Sequence, residues 1–224
     1  MSEKSDEAAK KLPEAKIEGP FWARIEPKWR VFWIVSILSL IADQLTKVWA
    51  RASLPVHPMP CSIPTDIIAH RCGGTPVTVI NGYWDWRLSM NPGSAFGLFG
   101  SLGPEFTRWF LSAIGIGAVA GMVFMLRKAR ADQRVLHWAL ALVAGGAVGN
   151  LIDRMYFSVV TDFILWKYKT HEWPVFNIAD VVLVVGVGLM FIDIQKENKR
   201  EKAAKKARTE KAKKAGLIKD LSAK

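Results

Sequence analysis

The stretch FNIADVVLVVGVGLMFI, Phe176 to Ile192, decides what kind of fold this chain adopts. Beyond Asp180 it carries no charge, and a run of about 20 such residues is what a helix needs to cross roughly 30 Å of hydrocarbon. A carboxylate at the head of that run costs several kcal/mol in lipid, about 2.5 to 3.5 on insertion scales. Something in the folded chain must therefore offset Asp180.

Half of the 224 residues are hydrophobic and ten are tryptophan, a bias toward a bilayer. Charges collect at the two ends and in one central patch. Four spans are expected: Arg30 to Ala50, Trp109 to Leu126, Val135 to Ile152, and Val175 to Ile194. The middle two hold no Asp, Glu, Lys or Arg, whereas the outer two carry Asp43 with Lys47, and Asp180. A soluble fold of this size rarely needs several uncharged helices this long, so that alternative is set aside. The first span is not a cleavable signal peptide, because some thirty polar residues precede it and no small-residue cleavage site follows.

Lys16, Arg24, Lys28 and Arg30 lie before or at the start of the first span, Arg127, Lys128, Arg130 and Arg134 lie between the second and third, and a Lys-rich run follows the fourth. With four spans these segments share one side, and positive-inside makes that side cytoplasmic. Both termini are then cytoplasmic, and residues 51–108 and 155–174 face outward. The expected organisation is a polar extension over 1–28, a membrane domain over 29–195 and a Lys-rich tail over 196–224. The tail suits anionic headgroups or topology-setting better than nucleic acid, for which no partner role is expected. Cys61 and Cys72 fall in the first outward loop, where a disulfide can persist. A bridge is expected there, two free thiols being the alternative, and no zinc site, since only His57 and His70 stand nearby.

With the topology fixed, the polar residues gather at one rim. Asp43 and Lys47 lie four apart on one helical face in the outer half of the first span, where an ion pair can form. Asn150, Asp153 and Arg154 stand at the outer end of the third span, Asn177 and Asp180 in the first turns of the fourth. Asn91 opens the small-residue stretch before the second span, and Asp162 follows in the outward loop, with seventeen residues between it and Asp180. Each has a structural reading of its own: Asp180 as a helix cap, Asn91 as a turn residue, Asp153 with Arg154 as an interfacial salt bridge. Five separate segments converging at one depth ask for more than caps and turns.

No HExxH, Cys/His cluster or Walker-type loop is present. Ser89, Ser94 and Thr161 have no histidine positioned in sequence as their base. Asp162 and Asp180 remain. Two carboxyls sharing a site near hydrocarbon cannot comfortably ionise together, so the pair holds one proton, the working state of an aspartic protease. Carboxylates in transporters meet the same conditions, and a proton relay through Asp43, Lys47, Asp153 and Asp180 is the alternative. A relay, however, distributes polar groups across the bilayer, and here the inward halves of the last three spans are almost bare apart from His137. A third alternative is a scaffold whose tail recruits partners, in which both aspartates would be dispensable.

DQLTK at Asp43 to Lys47, NPGSAFG at Asn91 to Gly97, GGAVGNLIDR at Gly145 to Arg154, VVTDFI at Val159 to Ile164 and FNIAD at Phe176 to Asp180 resemble, in order and spacing, the lipoprotein signal peptidase (signal peptidase II) family. The likeness runs from about Trp29 to Asp193. It implies a four-helix membrane bundle with a small extracytoplasmic β-rich platform, in a bacterial inner membrane. It further implies an aspartic endopeptidase, without cofactor or metal, that cuts diacylglyceryl prolipoproteins just before the lipidated cysteine. By the same resemblance Asp162 and Asp180 are the catalytic pair, and Asn91, Gly93, Asn150, Arg154, Asn177, Asp43 and Lys47 bind substrate or support the site. A monomer is expected, with membrane lipids around it. VINGYWDWRLSMN, Val79 to Asn91, suits platform strands, with Trp84 and Trp86 at the interface. Pro92 and Ser94 depart from the family's Thr and Ala, the loop over 51–78 is long, and neither terminal extension has a counterpart.

Overall fold

A computed structural model describes residues 25–56, 74–93 and 103–214. Cys61 and Cys72, with the expected disulfide, lie outside the described residues, as does the stretch from Ser94 to Gly100. Four helices are long and apolar enough to cross a membrane: α1 over Pro27–Ser53, α2 over Pro104–Lys128, α3 over Arg134–Phe157 and α4 over Ile178–Lys214. Four strands accompany them: β1 over Val77–Ile80, β2 over Trp84–Asn91, β3 over Val160–Tyr168 and β4 over His171–Glu172.

The helices begin and end where local chemistry directs. Pro27 and Pro104 occupy the first turns of α1 and α2, where a missing N–H costs nothing. Ser158 closes α3 in the left-handed region, φ 65°, its N–H on the Arg154 carbonyl. The second span thus starts five residues before the hydropathy limit at Trp109. The fourth starts at Ile178, three after Val175, and runs unbroken through the Lys-rich segment to Lys214. At about 1.5 Å per residue its 37 residues reach roughly 55 Å, well past the hydrocarbon.

In the bundle α3 is the hub: 67% of its apolar window is buried, against 11% for α2 and 17% for α4. Helices α1, α2 and α4 each pack on it. Small residues make this possible. A Cβ on Gly145 would stand 2.8 Å from the Ser36 carbonyl of α1, and one on Gly146 2.6 Å from the Ala179 carbonyl of α4. The backbones touch where side chains are missing. From α1, the residues Phe32, Val35, Ser39, Asp43, Lys47 and Ala50 form one buried stripe at three- and four-residue spacing. On the outer surface Leu38, Leu45, Ile116, Phe124, Val184 and Phe191 stay exposed, as suits side chains whose solvent is lipid.

The strands form one antiparallel sheet in the order β1-β2-β3-β4, at the end of the bundle where α1 and α3 finish and α4 begins. Gly82, φ 80°, sits in the Asn81-Gly82 turn joining β1 to β2. A register shift between Trp86 and Ser89 sets Ser89 opposite Asp162 and Asn91 opposite Val160. Beneath the sheet Ala50, Leu54, Leu88, Phe163 and Ile164 form a core that ties it to α1. Asp162, expected in an outward loop, therefore lies on a central strand. The chain then returns through Phe176, whose N–H donates to the Ile164 carbonyl at 3.0 Å and whose carbonyl accepts from Ile164 at 2.8 Å. That bridge sets Asn177 and the start of α4 against β3.

Candidate active site

Asp180 has two functions at the head of α4. The Asn177 side-chain oxygen accepts from the Asp180 N–H at 3.0 Å, and the Asp180 Oδ2 accepts from the Asn177 N–H at 3.2 Å. This is a reciprocal capping box with Asn177 as cap. The next free donor, the Ala179 N–H, is taken at 2.9 Å by Oδ1 of Asp43 reaching across from α1. The capping reading of Asp180 thus holds, and Oδ1 of the same carboxylate turns the other way to accept from Asn150 Nδ2 at 2.9 Å.

Asp162 sits in a different environment. It is 2% exposed; Asn177 Nδ2 donates to its Oδ1 at 2.7 Å and Asn91 Nδ2 to its Oδ2 at 3.1 Å. Burial and the neighbouring charge of Asp180 push its pKa up to about 8, only partly countered by the two asparagine donors and Lys47. One side chain therefore joins the pair: Asn177 donates to Asp162 and caps with Asp180. Asn91 is itself fixed by the turn that follows, its Oδ1 accepting from the Gly93 N–H at 2.8 Å. Gly93 has φ 101° and packs against Leu111 and Thr107 of α2, so any side chain there would be both strained and crowded.

Asn150 connects the carboxylates to α1. Its Oδ1 accepts from Lys47 Nζ at 2.9 Å and from Asn177 Nδ2 at 3.1 Å, which leaves its amide to face Asp180. Lys47, fully buried, also pairs with Asp43 at 2.9 Å and lies 3.5 Å from Asp153. Arg51 stands 3.6 Å from Asp153, so two acids and two bases balance inside the bundle. A buried ammonium without that balance would cost several kcal/mol. Asp153 pairs with Lys47 and Arg51, not with Arg154. The Arg154 guanidinium donates to the Asn150 carbonyl at 3.3 Å and feels the charges of Asp180, Asp162 and Asp153, while its buried Nε has no partner among the described residues.

The residues singled out in the sequence are thus brought to one place, and others join them. Arg51 Nη1 donates to the Thr161 hydroxyl at 2.7 Å, and the Thr161 N–H donates to Asp153 at 2.8 Å, which anchors the strand one residue before Asp162. Gln44 bonds Asp43 and the Gly149 carbonyl, both at 3.1 Å. Arg108 of α2 caps the end of α3 through the carbonyls of Arg154 and Met155 at 2.9 and 3.1 Å. Nothing local in the sequence marks Arg51; Gly149 is legible as the third glycine of GGAVG.

A family model described as Signal peptidase (SPase) II matches residues 35–196 of this chain. The lipoprotein signal peptidase of Geobacter metallireducens is 34% identical over 177 residues, covering 79% of this chain and 98% of that one. The lipoprotein signal peptidase of Xanthomonas campestris is 37% identical over 164 residues, 73% of this chain and 87% of its own. Among solved structures, a bacterial membrane enzyme determined by the in meso method at 2.3 Å superposes with a TM-score of 0.59 at 25% identity, covering 76% of this chain and 91% of that one. A second such structure, at 1.9 Å, gives a TM-score of 0.54.

Proposed function

The chain belongs to the signal peptidase II family, and from that premise we propose that Asp162 and Asp180 are its catalytic pair. It is a lipoprotein signal peptidase, which removes the signal peptide of a prolipoprotein by cutting just before the diacylglyceryl-modified cysteine. The observation that carries the assignment of the pair is Asn177, which bonds Asp162 at 2.7 Å and caps reciprocally with Asp180.

In the resting state Asp162 holds the proton and Asp180 is ionised. Asp180 takes a proton from a water molecule, and the water oxygen attacks the carbonyl carbon before the cysteine. Asp162 gives its proton to the carbonyl oxygen, so the tetrahedral intermediate forms without a free oxyanion. Collapse returns that hydroxyl proton to Asp162 while the proton on Asp180 passes to the leaving amine of the cysteine. One water is consumed, one carboxylic acid and one amine form, and the dyad is restored.

Asn91 and Asn177 hold Asp162, Asn150 holds Asp180, and Arg154, which feels the charge of both aspartates, supports the site. Asp43 and Lys47 brace Asn150 and the cap of α4, and Gly93 keeps the turn that carries Asn91. The site end of the bundle faces out of the cell and both termini face the cytoplasm of a bacterial inner membrane, as the Lys and Arg at the opposite end favour. The protein acts as a monomer built of the membrane domain over 29–195 with a polar extension at each end.

The test is cleavage of a diacylglyceryl prolipoprotein peptide by folded wild type, Asp162→Asn and Asp180→Asn. Product ending before the lipidated cysteine from wild type alone is expected. Undiminished cleavage by either variant would remove that residue from the pair.

A further inference from the structure

At the end of the bundle opposite the aspartates, a cavity of about 640 Å³ opens between the first turns of α1 and α3. Glu26, Lys28, Val31, Arg134, His137 and Trp138 are among its walls. We propose that this cavity is a binding site for the headgroup of an anionic glycerophospholipid from the leaflet at that end. The inference rests on the protein being membrane-spanning and is independent of the peptidase chemistry.

Charge accounting points to an anion. Among the described residues, four acids at this end are already engaged: Asp132 with Arg130 at 3.1 Å and Arg200 at 2.9 Å, Glu197 with Arg130 at 2.8 Å, Asp193 with Gln133 at 3.1 Å, and Glu26 with Lys28 at 3.3 Å; Glu201 and Glu210 follow further along α4. Arg134, exposed at the mouth, makes no ion pair among the described residues. Lys28 points inward, its Nζ also within 3.3 Å of the Ala129 carbonyl. Glu26 stands at the cap position of α1, paired with Lys28, whereas α3 carries neither an acidic residue in its first turn nor a side-chain cap, so its positive end adds to the field. The buried His137 lines the inner wall with its Nε2 3.0 Å from the Arg130 carbonyl.

The remaining walls choose a lipid over a free anion. The half-exposed Trp138 continues from the cavity onto the lipid-facing surface and the partly buried Val31 adds apolar wall, so a ligand with a phosphodiester and an acyl-glycerol stem meets charge above and an apolar wall below. Basic pockets between spans at headgroup depth suit such ligands. Trp33, also exposed one turn in from Trp29, adds to an aromatic belt at this level.

The experiment uses the full protein in neutral detergent, stripped of co-purified lipid and titrated with phosphatidylglycerol, phosphatidylcholine or inorganic phosphate. Melting temperature and native mass spectra are followed. Phosphatidylglycerol alone should raise the melting temperature and leave a one-to-one adduct. Arg134→Gln should weaken that response about tenfold, the size of one charge-assisted hydrogen bond, whereas Lys205→Gln with Lys206→Gln on the tail should not. An equal response to phosphatidylcholine, reproduction by inorganic phosphate, or an undiminished response in Arg134→Gln would overturn the site, as would a loss matched by the tail variant. Asp180→Asn should keep the lipid response and Arg134→Gln should keep cleavage, so the peptidase reading and this one fail separately.

Discussion

Asp162 shows how a residue's surroundings set its chemistry. A carboxylate lifted to about pH 8 by burial and by Asp180 is neutral at pH 7 and can donate a proton. Cleavage should therefore hold steady up to neutrality and fall by about tenfold per unit once pH passes 8, read from a pH–rate profile. The sign for stability follows from the same shift. Because the folded state holds this proton more tightly than the unfolded one, the contribution is complete below the ordinary carboxylate value of 3.8 and is lost as pH climbs through 8. Thermal unfolding of Asp162→Asn, which cannot charge, should accordingly gain on wild type between pH 5 and pH 8.5. Asn177 allows cap and site to be separated. Serine caps a helix as well as asparagine but cannot reach Asp162, so Asn177→Ser should leave stability within about 1 kcal/mol while cleavage falls at least about a hundredfold. A matched loss of both would assign Asn177 to folding alone.

At the scale of elements, α3 holds the bundle together through what it lacks. Gly146→Ala places a methyl against the Ala179 carbonyl in the capped turn of α4 and should cost about 1 to 3 kcal/mol by thermal unfolding, with cleavage falling too. Gly117→Ala on α2, where nothing lies within 4 Å, should be neutral or slightly stabilising. The ion cluster between α1 and α3 joins those two helices by charge. Lys47→Met leaves Asp43 and Asp153 without their shared ammonium, and about 3 to 5 kcal/mol of stability should go with it. Arg51 alone does not neutralise both acids. If Lys47→Met unfolds at the wild-type temperature, the cluster is not the brace described here.

For the whole molecule, the two ends of the bundle differ in what they offer. One carries the sheet and the aspartates; the other carries exposed basic side chains and a helix that continues beyond the membrane. Removing residues 196–224 should leave cleavage in detergent at the wild-type level, since the aspartates lie at the other end of the bundle. A reporter fused after Lys224 should register the cytoplasm, by fluorescence of a folded reporter and silence of a secreted phosphatase. The opposite pattern would invert the proposed topology and put the site inside the cell.

The sequence by itself determined the four spans, because hydropathy adds up over some twenty consecutive residues and needs no partner. It also carried Asp43, Lys47, Asn91, Asn150, Asp162, Asn177 and Asp180, since polar residues in apolar surroundings stand out one by one and their motifs keep order. Only the tertiary structure decided that Asp162 sits on a central strand. The Phe176 to Ile164 bridge aligns segments that neither pattern relates. It also decided that Lys47 serves Asn150 and two aspartates rather than Asp43 alone, and that Arg51 anchors Thr161. Those contacts join residues a hundred or more positions apart, as Lys47 with Asn150 and Asp43 with Ala179. Their geometry is set by how closely α3 lets its neighbours approach, a property of packed backbones that no local stretch of sequence contains.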